Sequence, residues 1–380
     1  MLTRHGWGAA VLGVVTAIIG RLFGVLELFV LGAGIVALVV GCALWSRSRE
    51  ASLTVERRLV PENLQVGEVG RVDLRITNIG PARTAPLALW EPVSGMGGAN
   101  LRLAPLRPHE STSAKYRLPA SRRGSVVFGP LTVERRDPFG LSRRRTVVPG
   151  THEVIILPAH LYITLPTGST GSGTIGQFLR MRALGRVGSE FHSLRDYVAG
   201  DDLRRINWKA SARSENLKVR EVEPDGLRRC TVALDNSSTE YSAEGFERAV
   251  SVAASAVAAA VRANLQLRLV IGANTDLRQT TFLAAMTELA DCSISDPRPI
   301  PFTAPAGDGL GLSIVVTGST SSPAVADARR FLGPNDVLLV IACTTMSGSS
   351  RNFVIDATDD SEFAASWAAM TGTYVGKMAS

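Results

Sequence analysis

Two apolar runs near the start of the chain restrict its fold more than any other feature. Residues 7–20 carry no charge, and residues 22–45 are apolar apart from Glu27, with Arg21 between the two runs. The second run exceeds the roughly 20 apolar residues that cross a bilayer, whereas the first is shorter and rich in glycine. Because no small-x-small cleavage pattern precedes Arg21, a cleaved signal peptide is disfavoured. The pattern predicts a transmembrane helical hairpin over residues 1–48, with two spans in the plasma membrane.

The arginines around these runs indicate an orientation. Four of them follow the second run closely, at Arg47, Arg49, Arg57 and Arg58. Only Arg4 precedes the first run, and Arg21 lies between the two. Since positive residues near the ends of spans are retained in the cytoplasm, we expect both termini and everything after Trp45 to be cytoplasmic.

Composition limits the classes of protein to consider. A chain of 380 residues predicts two or three domains, and a net charge of +7 leaves an anionic partner open. Only four of the 41 basic residues are lysines, which reflects either genomic base composition or many bidentate contacts to carboxylates or phosphates. The four cysteines form no C-x-x-C pair, so neither a disulfide framework nor a zinc site is indicated.

Residues 49–158 follow an all-β pattern. Alternating runs occur at Gly70–Asn78, Ala114–Leu118 and Ser125–Glu134, separated by glycine and proline turns about every ten residues. This spacing predicts an immunoglobulin-like β sandwich. A Gly/Ser-rich stretch, Pro166–Gly176, then predicts a linker over residues 159–188.

From residue 189 to residue 380 the pattern becomes an alternation of strands and helices. Strands are predicted at Cys230–Asp235, Leu267–Ala273, Leu312–Thr317, Val337–Cys343 and Phe353–Ala357. Helices are predicted at Ala243–Asn264, Leu277–Ala290, Pro323–Leu332 and Ser361–Met370. Such alternation predicts a doubly wound, mainly parallel α/β sheet, whose ligands bind beyond the carboxyl ends of the strands.

A candidate metal site follows the first of these strands. Asp235, Ser237 and Thr239 fit the pattern Asp-x-Ser-x-Ser/Thr, which resembles the metal-ion-dependent adhesion site of von Willebrand factor type A domains. One carboxylate and two hydroxyls on one turn can provide oxygen ligands to Mg²⁺. Alternatively, Ser237 or Thr239 caps the following helix and Asp235 binds backbone amides.

The pattern is incomplete in one respect. No aspartate follows the strand Leu312–Val316, whereas adhesion-type domains usually have one there. We therefore expect weak Mg²⁺ binding, aided by a partner's carboxylate. Thr280 or Thr281 is a candidate third hydroxyl, and Asp276 or Asp291 is a candidate second carboxylate.

The segment Ser189–Glu223 is dense in charges of both signs and allows three interpretations. Its arginines and lysines could bind phosphates while Trp208 and Tyr197 stack on bases, but interspersed acids cancel the basic field. The adjacent pair Asp201 and Asp202 could form an enzyme site, but no nearby His or Cys supplies a nucleophile–base pair. The third interpretation is a docking element with arginine–carboxylate pairs, in which Trp208 is expected to be buried.

Nothing in the chain supports a catalytic role. The five histidines are scattered, and the sequence contains no His-x-x-x-His pair, no P-loop and no Gly-x-Ser-x-Gly elbow. We expect no enzymatic activity and no small-molecule substrate.

Long motifs in this segment and in the β region resemble one bacterial family. Leu194-Arg195-Asp196-Tyr197, Gly200-Asp201-Asp202, Ile206–Arg213 and Glu221-Val222-Glu223 are similar to the signature of the domain of unknown function 58 family, as are Asp137–Leu141 and the N-terminal hairpin. The resemblance implies a von Willebrand A-like domain behind a membrane anchor, associated with MoxR-type AAA+ ATPases in a chaperone-like or envelope-maintenance system. The signature residues with candidate interaction roles are Arg195, Asp201, Asp202, Arg204, Asn207, Trp208, Arg213, Glu221 and Glu223.

Three functional hypotheses stay open. In the first, the protein is a membrane-tethered module that docks an ATPase or its client. In the second, it is a structural envelope component that acts through its β sandwich. Nucleic-acid binding is a distant third.

Overall fold

The computed structural model describes two compact units, residues 1–157 and residues 158–380. The residues whose structure is described are 1–47, 52–166, 173–185, 191–198, 206–214, 216–222, 227–302, 310–333, 336–345, 353–372 and 375–376.

The first unit begins with two antiparallel helices, α1 (Arg4–Phe23) and α2 (Leu26–Arg47). The Thr3 side chain caps α1 by accepting the Gly6 N–H, and Gly24 ends the helix in the left-handed conformation that favours glycine. Both helices are long and apolar enough to cross a membrane by length and composition. The two long apolar helices predicted for residues 1–48 are therefore confirmed, and the orientation of the termini stays a prediction.

Small residues allow the two helices to pack closely. A side-chain carbon at Gly20 would lie 2.3 Å from the Phe29 nitrogen, and one at Gly32 would lie 2.3 Å from the Ala17 nitrogen. Close backbone approach through small residues is the usual packing of helices in a bilayer.

A β-rich region with two antiparallel sheets follows. Its strands are β1 (Leu53–Val60), β2 (Val69–Asn78), β3 (Leu87–Val93), β4 (Gly97–Leu103), β5 (Ser111–Pro119), β6 (Gly124–Phe128), β7 (Leu131–Arg136), β8 (Arg143–Val148) and β9 (His152–Ile156). One sheet has the order β1-β2-β5, and the other has the order β8-β7-β3-β6-β9 with β4 beside β3. Alternate residues of both sheets enter one buried core. The single run expected at Ser125–Glu134 is two strands, because Gly129 (φ 84°) and Pro130 interrupt it.

The second unit contains the α/β sheet. Its strands are β10 (Tyr162–Ile163), β11 (Phe191–Asp196), β12 (Lys218–Val222), β13 (Leu227–Leu234), β14 (Gln266–Ile271), β15 (Thr275–Arg278), β16 (Leu310–Ser319), β17 (Asp336–Thr345), β18 (Phe353–Asp356) and β19 (Val375–Gly376). Its helices are α3 (Thr174–Gly185), α4 (Trp208–Ser211), α5 (Ala243–Arg262), α6 (Phe282–Asp291), α7 (Pro323–Phe331) and α8 (Asp360–Thr371). The main sheet has the order β15-β14-β13-β16-β17-β18, parallel except for β15 at one edge.

Helices cover both faces of this sheet. On one face, Ala233 of β13 and Val315 of β16 pack with Val325 of α7 in a buried cluster. Helix α5 packs against the same strands, but its buried residues do not join that cluster. The alternation of side chains along a strand therefore places α5 on the opposite face.

Two expectations about this unit need correction. The region 159–188 is not a continuous linker, because it contains β10, which pairs with β19, and helix α3. Burial of Ile175 and Leu179 holds α3 in the unit, while residues 167–172 lie outside the described part. The helix expected at Leu277–Ala290 is instead the end of β15 followed by α6.

Candidate functional site

Asp235 lies directly after β13, at the carboxyl edge of the sheet, and is buried. Its Oδ1 accepts a hydrogen bond from the backbone N–H of Ser237 at 3.0 Å. Its Oδ2 accepts hydrogen bonds from the hydroxyls of Thr317 at 2.9 Å and Ser322 at 2.8 Å. The carboxylate therefore joins three chain segments that meet at this edge.

The two other residues of the predicted triad lie in the same turn. The hydroxyl oxygens of Ser237 and Thr239 are 2.8 Å apart and share a hydrogen bond. The segment after α6 pairs with this turn, since Ser238 N–H donates to Ser295 O and Ser295 N–H donates to Asn236 O, each at 2.9 Å. The turn is fixed from both sides, and the structure brings Asp235, Ser237 and Thr239 together.

A cavity of about 290 Å³ opens beside this turn. The side chains around it that carry oxygen are Asp235, Ser237, Thr239, Glu240, Ser322 and Asp327. Burial, and next the negative charge of Asp235, raise the pKa of Glu240 above its ordinary value. The carboxylates of Asp235 and Glu240 thus repel each other within one partly enclosed space, where a cation would relieve the repulsion.

Three residues of this site are absent from the sequence-based prediction. Thr317 is buried near the carboxyl end of β16, and adjacent parallel strands end at the same edge of the sheet. Ser322 is the N-cap of α7, directly before Pro323. Glu240 lies one residue beyond the Asp-x-Ser-x-Thr pattern, and the absence of a side chain at Gly318 lets its backbone approach β16. The cap before Pro323 is the sequence signal that could have found Ser322.

The side-chain oxygens around the cavity are the ligand type that suits a Mg²⁺ ion, but too few of them are available. All are oxygens, as Mg²⁺ prefers, but the ion requires six ligands and gives up water reluctantly. Three of about four acceptor positions on Asp235 already hold protein hydrogens. Among the described residues, no group of three or more His, Cys, Asp or Glu side chains could hold a metal ion. Water or a partner's carboxylate would have to complete the shell.

The additional ligands expected from the sequence do not reach this site. Thr280 N–H donates to Leu267 O at 3.0 Å, at the amino end of β14 and thus at the opposite edge of the sheet. Thr281 caps α6. Both predictions are wrong because β15 is antiparallel to β14 and returns the chain to that edge.

The candidate second carboxylates are also placed elsewhere. Asp276 binds the Arg268 guanidinium through two hydrogen bonds of 2.8 and 2.9 Å, and these bonds hold its pKa below the usual range. Asp291 is exposed at the end of α6 and does not line the cavity.

Part of the signature segment forms a hairpin of β11 and β12, and α4 lies in the connection between these two strands. The backbone of Arg195 pairs with Val219, and that of Glu221 pairs with Ser193. Asn207 caps α4 by accepting the Ala210 N–H at 3.2 Å, and Arg213 is exposed just after this helix. Asp201, Asp202, Arg204 and Glu223 lie outside the described residues.

Trp208 is exposed, contrary to the expectation of a buried indole. Its exposed fraction is 66%, and Val198 and Leu217 of the same hairpin are also exposed. In this hairpin the Lys218 ammonium pairs with the Asp196 carboxylate at 2.5 Å. The side chains of Arg195, Arg220 and Glu221 lie outside the described part, so the arginine–carboxylate clamp stays a prediction.

The fold defines a class of multidomain protein, in which two apolar helices and a β-rich region precede an α/β unit with a hydroxyl-rich carboxyl edge. Residues 193–281 of this chain match the model of the family described as Protein of unknown function DUF58. The match spans both the hairpin and the Asp235 turn.

A curated relative matches the chain at low identity. The chain is 26% identical over 152 residues to the uncharacterized protein YeaD of Bacillus subtilis (strain 168), covering 38% of this chain and 35% of the relative. The chain therefore matches only about a third of the length of that relative.

Solved structures resemble the chain only loosely. The CARDB domain of the PF1109 protein from Pyrococcus furiosus, in complex with di-metal ions, is 19% identical, covers 28% of this chain and 88% of that domain, and has a TM-score of 0.22. The alkylpurine DNA glycosylase AlkC of Pseudomonas fluorescens is 13% identical, covers 34% of this chain and 38% of that protein, and has a TM-score of 0.19. Scores at this level carry no argument about fold or function.

Proposed function

We propose that the protein is a membrane-tethered, cytoplasm-facing interaction module that docks a MoxR-type AAA+ ATPase or its client. The strand order of the main sheet, with one antiparallel edge strand, supports a von Willebrand factor A-like fold. The two antiparallel sheets of the first unit support an immunoglobulin-like sandwich. The oxygen cluster at the carboxyl edge lies where ligands of such sheets bind.

The observation that carries this proposal is the exposed indole of Trp208. A tryptophan with 66% exposure contributes little to folding, yet tryptophan is the residue type most often dominant in protein–protein interfaces. The indole, together with Val198 and Leu217 exposed on the same hairpin, provides apolar surface, and the charged residues Lys209 and Arg213 are exposed close to it in the chain.

A binding titration tests the proposal. The full chain in detergent should bind the MoxR-type ATPase of the same bacterium, and Trp208→Ala should weaken binding at least tenfold, as expected for a dominant interface residue. Leu283→Ala is the matched control, because Leu283 is an exposed apolar residue of the same unit outside this hairpin. Equal affinity of wild type and Trp208→Ala would contradict the proposal.

A fold control separates binding from stability. Trp208→Ala should change the free energy of unfolding by less than about 1 kcal/mol, as is usual for surface positions. Trp367→Ala, at a fully buried indole, should cost about 3–5 kcal/mol.

The proposal assigns Mg²⁺ a role that depends on the partner. With its acceptor positions largely used, Asp235 should bind the ion weakly until a partner adds a carboxylate. Calorimetry on the full chain alone should therefore show no binding at micromolar Mg²⁺. Micromolar binding that Asp235→Ala abolishes and Asp291→Ala, outside the cavity, preserves would show a self-sufficient site.

The exposed indole also favours a second candidate, binding of single-stranded nucleic acid. Trp208 could stack on a base while Lys209 and Arg213, both exposed, contact phosphates. Such binding would weaken steeply with salt. Salt-sensitive binding of an oligonucleotide, lost in Trp208→Ala, would favour this candidate over protein docking.

A further inference from the structure

The turn between β7 and β8 lies at the open end of the helical hairpin. Thr3 N–H donates to Leu141 O at 2.9 Å, and Arg143 N–H donates to Met1 O at 2.9 Å. The hydroxyls of Ser46 and Ser142 are 2.6 Å apart and buried. The start of α1 and the end of α2 therefore both contact this turn.

If the two helices span a bilayer, both of these helix ends meet the same membrane surface. The turn and the adjoining ends of β7 and β8 then lie at the level of the lipid headgroups. This step rests on the membrane anchoring that is part of the proposed function.

Aromatic residues mark the same level. Phe139, at the tip of the turn, is 65% exposed, and Trp7 and Trp45 are exposed near the two helix ends. The Arg135 guanidinium lies 4.0 Å from the ring centre of Trp45. Exposed aromatic rings at helix ends are characteristic of the membrane–water interface.

Three arginines on the outer face of β7 and β8 form what we call the arginine face: Arg136, Arg143 and Arg145. They surround a single carboxylate, Glu134, with N–O distances of 2.8 Å, 4.0 Å and 2.9 Å respectively. The hydrogen bonds from Arg145 and Arg136 outweigh the effect of burial and hold the pKa of Glu134 below its usual range. Three positive charges against one negative charge leave this face cationic.

The nearby acidic residue does not neutralise the face. Asp137, the other acidic residue in residues 131–148, is buried in the turn and accepts the N–H groups of Phe139 and Ser142. The side chains of Arg136 and Arg145 are largely exposed, with exposed fractions of 66% and 62%.

We propose that the arginine face binds the phosphate groups of anionic phospholipids in the leaflet at the open end of the hairpin, while Phe139 inserts among the headgroups. Charge complementarity and continuity with the apolar helices both favour a lipid occupant. Guanidinium groups bind phosphate oxygens in pairs, and a basic cluster next to a span is attracted to anionic lipid. Such binding fixes the first unit against the membrane surface.

Native mass spectrometry of the full chain in neutral detergent tests this proposal. The wild type should retain phosphatidylglycerol in preference to phosphatidylcholine, and the triple variant R136Q/R143Q/R145Q should bind phosphatidylglycerol at least about tenfold more weakly. The control R71Q/R75Q/R117Q removes three exposed arginines from the outer face of the other sheet and should bind as the wild type does. Millimolar inorganic phosphate should not displace the lipid.

Several outcomes would overturn the proposal. Equal retention of the two lipids by wild type, equal losses in the two triple variants, or displacement by inorganic phosphate would each do so. If the triple variant does not fold, the single changes Arg136→Gln and Arg145→Gln, at exposed side chains, should each weaken phosphatidylglycerol binding several-fold. A chain that remains soluble without detergent would contradict membrane anchoring itself, which distinguishes that failure from failure of the arginine face.

Discussion

Two tryptophans of the second unit have opposite environments. Trp367 is fully buried on α8, next to Phe363, and its indole N–H donates to Thr164 O at 3.1 Å. Trp208 is exposed on α4. The first indole therefore contributes to folding, whereas the second is free for a partner, and the docking proposal depends on this difference.

Glu240 should make stability depend on pH in a defined direction. Its pKa is raised in the folded protein, so its contribution to stability is present below the ordinary glutamate pKa and is lost as pH rises through the folded value. Glu240→Gln stays neutral at every pH. The variant should therefore be more stable than the wild type at pH 7 and equally stable below about pH 4, as measured by denaturant unfolding.

A surface glutamate provides the control for this experiment. Glu288 is exposed on α6, away from the cavity, so Glu288→Gln should shift stability alike at both pH values. A Glu240→Gln variant whose advantage grows toward acid would mean that Glu240 is stabilised as a carboxylate, and would remove the basis for a cation-binding cluster.

At the scale of residues, the sequence predicts which side chains lie together when they belong to one short stretch of chain. Asp235, Ser237 and Thr239 lie together because one turn carries all three. Thr317 and Ser322 join them from another strand and another helix, and nothing local marks that contact. Burial of Trp208 could not be judged from alternating charges, because the same pattern occurs on solvated faces.

At the scale of elements, the helical hairpin depends on glycine at the contact between its helices. Gly32→Leu should force α1 and α2 apart, because even the first side-chain carbon would lie 2.3 Å from the Ala17 nitrogen. We expect a loss of about 1–3 kcal/mol, the usual cost of overpacking, in thermal unfolding of the full chain in mild detergent.

Gly34 is the matched control on the same helix. A side-chain carbon there meets nothing within 4 Å, so Gly34→Leu should unfold as the wild type does. Equal destabilisation by the two changes would show that helix contact is not the cause.

Element prediction succeeded where periodicity was long and failed at short reversals. The strand before Asp235 and the helix from Ala243 follow from long apolar patterns. The four-residue edge strand β15 (Thr275–Arg278) does not, because its exposed side chains alternate too briefly to be distinguished from a helix start. That one reversal moves Thr280 to the opposite edge of the sheet.

At the scale of the whole molecule, composition and hydropathy predict the order of the regions: two apolar helices, a β-rich region and an α/β region. The structure has the two apolar helices and the β-rich region in the first unit, and the α/β unit begins at Pro158. Length and periodicity determine this order. The packing of α3 into the second unit depends on long-range contacts and could not be read from a stretch rich in glycine and serine.

The account requires the second unit to face the cytoplasm, since only there can it meet a cytoplasmic ATPase. Protease treatment of intact and permeabilised spheroplasts, followed by detection of residues 158–380, measures this directly. The arginine excess after α2 predicts that this unit is protected in intact spheroplasts and cleaved after permeabilisation. Cleavage in intact spheroplasts would place the unit outside the membrane and contradict the docking proposal.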